Sequence, residues 1–370
     1  MEARALDRSE FGQLFSALSG AGYSIVGPRV AEGAIVYDEL SSVADLPIGW
    51  TDEQEAGTYR LVERGDQALF GYAVGPHSWK KYLFPPKVTL WRAERENGSL
   101  KFVEGDPPRR RLAFLGVRAC ELAALDIQDK VFLGSGAQDP TYGTQRGNAF
   151  VIAVNCAVAG GTCFCVSMET GPACEDGYDL VVTEIIDDER HDFLIDAGTE
   201  AGEQILGELG GSPATESDAA RVDQILAHTA SSMGRAMDTE GIYSVLMDNL
   251  EHPQWDDVAE RCLACTNCTL VCPTCFCSTT EDVANLAGEA AERSRRWDSC
   301  FTLDFSGLHQ TPVRPSIRSR YRQWLTHKLA TWYDQFGSSG CVGCGRCITW
   351  CPVGIDLTAE VVALREEVPA

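Results

Sequence analysis

Eight cysteines near the end of the chain fall into two runs of one spacing. Cys262-Leu-Ala-Cys265-Thr-Asn-Cys268-Thr-Leu-Val-Cys272-Pro273 and Cys341-Val-Gly-Cys344-Gly-Arg-Cys347-Ile-Thr-Trp-Cys351-Pro352 both read C-x2-C-x2-C-x3-C-P. Three thiolates in one tight turn can hold three corners of a cubane iron–sulfur cluster, while the fourth leaves the turn at its proline and points toward the neighbouring cluster. The pattern therefore assigns Cys262, Cys265, Cys268 and Cys351 to one [4Fe–4S] cluster and Cys341, Cys344, Cys347 and Cys272 to a second. Each run lends a ligand to its twin, so the two must fold together.

Two other chemistries of paired cysteines fit less well. A zinc site uses two pairs per metal and has no need of a third evenly spaced cysteine, nor of a fourth followed by proline. A disulfide framework belongs to oxidising compartments, whereas this chain shows no basic stretch ahead of an apolar leader, and its 16 cysteines suit a reducing one. A cytoplasmic protein is expected. No run of eighteen apolar residues is present, so no membrane insertion is expected either. The formal net charge of −23 argues against a nucleic-acid partner, because phosphate contacts need a positive face.

The elements that must position these cysteines divide near residue 250. Residues 251 to 370 carry 11 Lys/Arg against 15 Asp/Glu, so −19 of the −23 lies in residues 1 to 250. The expected class is α+β: an N-terminal α/β-type cysteine-bearing domain over 1–250, then an α-helical two-cluster domain of ferredoxin type over 251–370. The first helix is read over residues 8 to 19, with Phe11, Leu14, Phe15 and Leu18 on one face, and short strands follow around Tyr23 to Val26 and Ala34 to Tyr37. Apolar strands are read at Arg111 to Val117, Ala149 to Val154 and Leu180 to Ile186, with a helix opening at Cys120. Helical patterns cover Glu200 to Leu209 and Asp218 to Met233. The aromatic segment around Trp79 and Phe84 reads as a cover for the core more readily than as a lid. In the second part, helices are expected from Glu281 to Arg293 and from Ile317 to Gln335. The acid-free series Arg314, Arg318, Arg320, Arg322 and Lys328 suits either a solvated helix face or a strip that offsets cluster charge.

A further metal site is suggested by an internal echo, Thr162-Cys163-Phe164-Cys165 and Thr274-Cys275-Phe276-Cys277. Residues two apart in an extended segment share a face, so Cys163 and Cys165 can present two sulfurs to one metal. With Cys156 and the turn residue Cys120 they make a candidate third [4Fe–4S] site; zinc or ordinary buried thiols are the alternatives, and Cys174 is a rival fourth ligand. Cys275, Cys277 and Cys300 lie near the dicluster runs and are assigned no primary role.

Six segments, GVRACELAALDIQDKVF (116 to 132), VNCAVAGGTCFCVSM (154 to 168), RCLACTNCTLVCPTCFC (261 to 277), RWDSCFTLDFS (296 to 306), RSRYRQWLTHKL (318 to 329) and SGCVGCGRCITWCPVGID (339 to 356), together resemble one family. They are similar to the iron–sulfur β subunits of cytoplasmic NADP-linked nickel–iron hydrogenases, or sulfhydrogenases, and more distantly to one of the subunits of anaerobic sulfite reductase. The resemblance implies an electron conduit between a flavin- and NAD(P)-binding partner and the hydrogenase small and large subunits. An electron-transfer role in an anaerobic sulfite or polysulfide reductase is the alternative. The residues agree with a carrier: no strand leads into G-x-G-x-x-G, and four-cysteine sites leave no open iron position. No catalytic residue is therefore assigned.

Overall fold

The computed structural model describes residues 3–96, 99–105, 110–134, 136, 138–187, 190–287, 289–309 and 311–366. Four mutually parallel strands, Ser24–Ala31, Leu112–Val117, Ala149–Val154 and Leu180–Ile186, form the centre of an eight-stranded sheet. Antiparallel strands Ala34–Glu39 on one side and His191–Ala197, Arg4–Asp7 and Ser212–Pro213 on the other complete it.

The central strands are apolar throughout because both faces are covered. Ala113, Leu115, Phe150, Ile152 and Val154 point into a core built with Phe11, Leu14, Leu18 and Phe193. Their neighbours Phe114, Val117, Val151 and Ala153 point the other way, toward Trp79, Phe84, Leu122 and Leu125. The sheet thus separates the N-terminal helix Gly12–Gly20 from the helix Ala119–Phe132, whose second residue is Cys120. The aromatic segment covers the core as expected: Trp79 and Phe84 are each 1% exposed, and Trp79 stacks on Tyr37 and Phe114.

The largest departure from the sequence reading lies in the spacer between the two cysteine runs. The helix expected over Glu281 to Arg293 is a β hairpin, Ser278–Ala284 with Ala290–Trp297. Asn285 turns the chain, its side-chain carbonyl accepting from the Glu289 amide at 2.8 Å. Asp282 then stands opposite Arg293 and pairs with it at 2.6 Å, an ion pair that helical spacing would not have made. The deciding contact is remote: Ala290–Trp297 pairs with Lys87–Glu96, which pairs with Ser99–Glu104. Local periodicity is overridden by a strand from the other side of residue 250. The helix expected from Ile317 forms, as Ile317–Thr326, a π-helical turn His327–Thr331 and Trp332–Phe336. Among the described residues no helix is long and apolar enough to cross a membrane.

Candidate metal centres

Both cysteine runs adopt the same local path. Gly343 and Gly345 have φ of +63° and +71°, and at the matching places of the first run Ala264 and Thr266 take +48° and +72°. Left-handed backbone at two non-glycine residues is costly and marks a turn held for a purpose. After each turn comes one helical turn, Asn267–Leu270 or Arg346–Thr349, which carries the chain to Cys272 or Cys351.

Cys262, Cys265, Cys268 and Cys351 line a single void with Phe301, Tyr321 and Trp324, with Cys265 on its exposed side, and Cys347 reaches its wall. Burial pushes the Cys262 and Cys268 thiols up, so a cation or a metal is needed to hold them as thiolates. Arg320, 7% exposed, supplies one such charge toward Cys262. The hydroxyl of Tyr321 and the indole nitrogen of Trp324 are buried on this wall, and neither finds a hydrogen-bond partner among the described residues. Orphaned donors around a thiol-lined void fit a guest with acceptor sulfurs.

Cys341 and Cys344 are buried and Cys347 is half-buried in one turn, and Cys272 stands among the charged groups that act on all three. Burial again raises Cys341, to about 12. Around Cys272 the environment is cationic. Lys328, carried inward by the π-helical turn, donates to the Cys272 sulfur at 3.2 Å, to Thr274 Oγ1 at 3.1 Å and to the Gly340 carbonyl at 3.1 Å. Burial works against its charge, but the neighbouring thiolates, Cys272 first, hold Lys328 protonated. Lys80 donates to the carbonyls of Cys272 at 2.9 Å and Leu270 at 3.3 Å, and burial lowers its pKa. No carboxylate among the described residues pairs with either ammonium.

The candidate third set also converges. Cys120, Cys156, Cys163 and Cys165 line one enclosed void together with Val74, Arg118, Met233 and Cys344. Burial raises Cys163 strongly and Cys165 to about 12. The buried Arg118 faces Cys156 and is fixed by the carbonyls of Phe70 at 2.9 Å and Tyr72 at 3.0 Å. Cys174 lines a different, open cleft. Zinc draws all its ligand atoms to one point. Among the described residues no three His, Cys, Asp or Glu side chains converge on a single-ion position. Thiols spread around a void suit a cubane better.

Two glycines let the third set pack on the second run. A Cβ at Gly343 would meet the Cys165 Cα at 2.6 Å, and one at Gly345 would meet the Thr162 carbonyl oxygen at 2.3 Å. Across this contact the Phe164 amide donates to the Gly343 carbonyl at 2.8 Å. Gln54 accepts from Thr349 at 2.8 Å and from Thr162 at 3.1 Å, bridging the two loops.

The basic series divides by position. Arg320 and Lys328 face the cysteines, whereas Arg318 and Arg322 each pair with Glu251 at 2.9 Å on the surface. Three buried groups carried no motif of their own. Arg346 sits between two cysteines of the second run and Glu121 follows Cys120, so position beside a ligand was the only clue; Arg118, two residues before Cys120, had no more.

Residues 261–355 match the model of a 4Fe-4S dicluster domain. The chain is 31% identical to the sulfhydrogenase 2 subunit beta of Pyrococcus furiosus over 316 residues, 84% of this chain and 90% of that protein. No solved structure matches it.

Proposed function

The chain belongs to the sulfhydrogenase β-subunit family, and from that premise we propose that it relays single electrons between a flavin- and NAD(P)-binding partner and a nickel–iron hydrogenase module. Cys262, Cys265, Cys268 and Cys351 ligate one [4Fe–4S] cluster, Cys341, Cys344, Cys347 and Cys272 a second, and Cys120, Cys156, Cys163 and Cys165 a third. A cluster held by four thiolates accepts and returns one electron and leaves no iron corner for substrate.

The observation that carries this reading is the sharing of walls. Cys344 lines the void of the third set and Cys347 lines the void of the first, so the second run stands between the other two. A series of redox sites that share walls suits a conductor. The surrounding residues have a common task. Arg118, Arg320, Lys328 and Arg346 place positive charge beside Cys156, Cys262, Cys272 and Cys344. Phe301, Trp324, Ile355 and Leu357 line the inner side of the first void with apolar surface. Neither task requires a proton to be transferred to a substrate.

The test is anoxic purification with analysis of iron, acid-labile sulfide and copurifying proteins. About twelve irons per chain and a nickel-containing partner are expected. A chain that takes up no iron would end the proposal, and a sirohaem-bearing partner would redirect it to sulfite reduction.

A further inference from the structure

The two cysteine runs share one spacing but end differently. After Cys351 the chain closes on itself: the Gly354 amide donates to the Cys351 carbonyl at 3.0 Å, and the Ile355 amide donates to the Cys351 sulfur at 3.3 Å. Gly354 makes that turn with φ of +66°. Cys275 stands at the matching place after Cys272, and among the described residues no backbone amide reaches the Cys272 carbonyl. Pro273 has no amide to offer. Cys272 and Pro273 are both buried, so their carbonyls need donors from elsewhere.

Those donors come from the N-terminal half of the chain. Lys80 Nζ, which binds the Cys272 carbonyl at 2.9 Å and the Leu270 carbonyl at 3.3 Å, lies 192 and 190 residues away in sequence. Gln128 Nε2 donates to the Pro273 carbonyl at 2.9 Å across 145 residues. Neither side chain is a surface group: Lys80 is 4% exposed and Gln128 1%.

Both are fixed by their own surroundings. Lys80 opens the short helix Lys80–Leu83, and its Nζ stands 4.2 Å from the ring centroid of Trp297, the last residue of the hairpin. The Trp297 indole is held in turn by the Phe84 carbonyl at 2.8 Å. Gln128 projects from the helix Ala119–Phe132 that carries Cys120. Beyond the proline, Thr274 Oγ1 donates to the Gly340 carbonyl at 2.7 Å and ties the same peptide to the start of the second run.

We propose that Lys80 and Gln128 are positioning residues for the crossed ligand: by fixing the peptide from Leu270 to Pro273 they aim the Cys272 sulfur at the cluster of the second run, a task that the turn after Cys351 performs for itself. This role rests on the crossed ligation proposed for Cys272. It makes the dicluster pair depend on the N-terminal half, although all its ligands lie between residues 262 and 351.

The test is EPR spectroscopy with iron analysis of anoxically prepared full-length chains after oxidation by ferricyanide. A cubane corner without its thiolate gives up one iron, one electron passing to the oxidant, and leaves a three-iron cluster with its own signal. Cys272→Ala and Cys351→Ala supply the reference signals for an opened second-run cluster and an opened first-run cluster. Lys80→Met keeps the length of the side chain and removes the donor. It should give the Cys272→Ala signal, with a loss of about one iron from about twelve per chain. A folded Lys80→Met chain that shows the wild-type signal or the Cys351→Ala signal overturns the inference. So does a shifted midpoint without a three-iron species, because charge and not placement would then be the role. Should Lys80→Met not fold, Gln128→Met decides the matter: the Cys272→Ala signal supports the inference and the wild-type signal removes it. A wild-type chain without iron would overturn the functional reading itself, and a second-run cluster left intact by Cys272→Ala would overturn the crossed ligation. Where both of those hold and Lys80→Met has no effect, this inference alone falls.

Discussion

Glu121 and Arg346 form an ion pair whose side chains are 1% and 0% exposed, and it joins the helix that begins beside Cys120 to the turn between Cys344 and Cys347. The Glu121 carboxylate also accepts from Tyr37 at 2.8 Å, from Trp79 Nε1 at 3.0 Å and from the Arg118 amide at 3.1 Å. Arg346 is held in turn by the carbonyls of Gly75 and His77, each at 2.9 Å. One buried network therefore spans two of the three cysteine sets. Arg346→Met leaves the Glu121 charge buried and uncompensated, which should cost about 3–5 kcal/mol in anoxic urea unfolding. Adding Glu121→Leu should restore much of the loss. A loss below about 1 kcal/mol for Arg346→Met would show that the pair does not hold the two sets together.

Lys328 should set the potential of the cluster assigned to Cys272, Cys341, Cys344 and Cys347. A hydrogen bond from an ammonium to a ligand sulfur favours the reduced, more negative state. Such bonds contribute about 1.5–3 kcal/mol, so Lys328→Met should lower one midpoint by about 60–130 mV in an EPR-monitored titration. Lys328→Arg should restore part of the shift. Midpoints that all stay put would detach the lysine from the cluster.

Tyr321→Phe removes one orphaned donor from the wall shared with Cys262, Cys265, Cys268 and Cys351. A neutral hydrogen bond of about 1 kcal/mol predicts a fall of about 40 mV, confined to the other member of the dicluster pair. If instead the cluster of the second run shifts, the placement of the tyrosine against the first is wrong.

Crossed ligation makes a separate demand. Cys272→Ala should alter the EPR signal of the cluster proposed for Cys341, Cys344 and Cys347, although Cys272 belongs to the other run. Damage limited to the cluster of Cys262, Cys265 and Cys268 would mean that each run keeps its own fourth cysteine.

Gly343→Ala tests the contact between the third set and the second run. The new Cβ would meet backbone at 2.6 Å in a left-handed conformation, so the strain falls on residue 343 and the clash on Cys165. Destabilisation of more than about 1 kcal/mol is expected, with loss of iron from two sites at once. Gly33→Ala has the same sign of φ but open space, and should cost only the backbone strain.

The dicluster runs were legible from residue types alone because a metal cluster fixes the spacing of its ligands within one turn, and that constraint is written locally. The same holds for the central strands: Leu112–Val117 and Ala149–Val154 are uniformly apolar because both faces are buried. The echo of Cys163 and Cys165 in Cys275 and Cys277 was visible too, but not that both copies dock on the second cysteine run, because local sequence does not say what it packs against. Only tertiary structure could turn the segment from Glu281 to Arg293 into strands, since its partner Lys87–Glu96 lies far away in the chain. The electrostatic setting was decided there as well. Glu121, Arg118, Lys80 and Arg346 resemble any other charged residues until burial beside thiols makes their charges count, and burial is a property of the packed molecule.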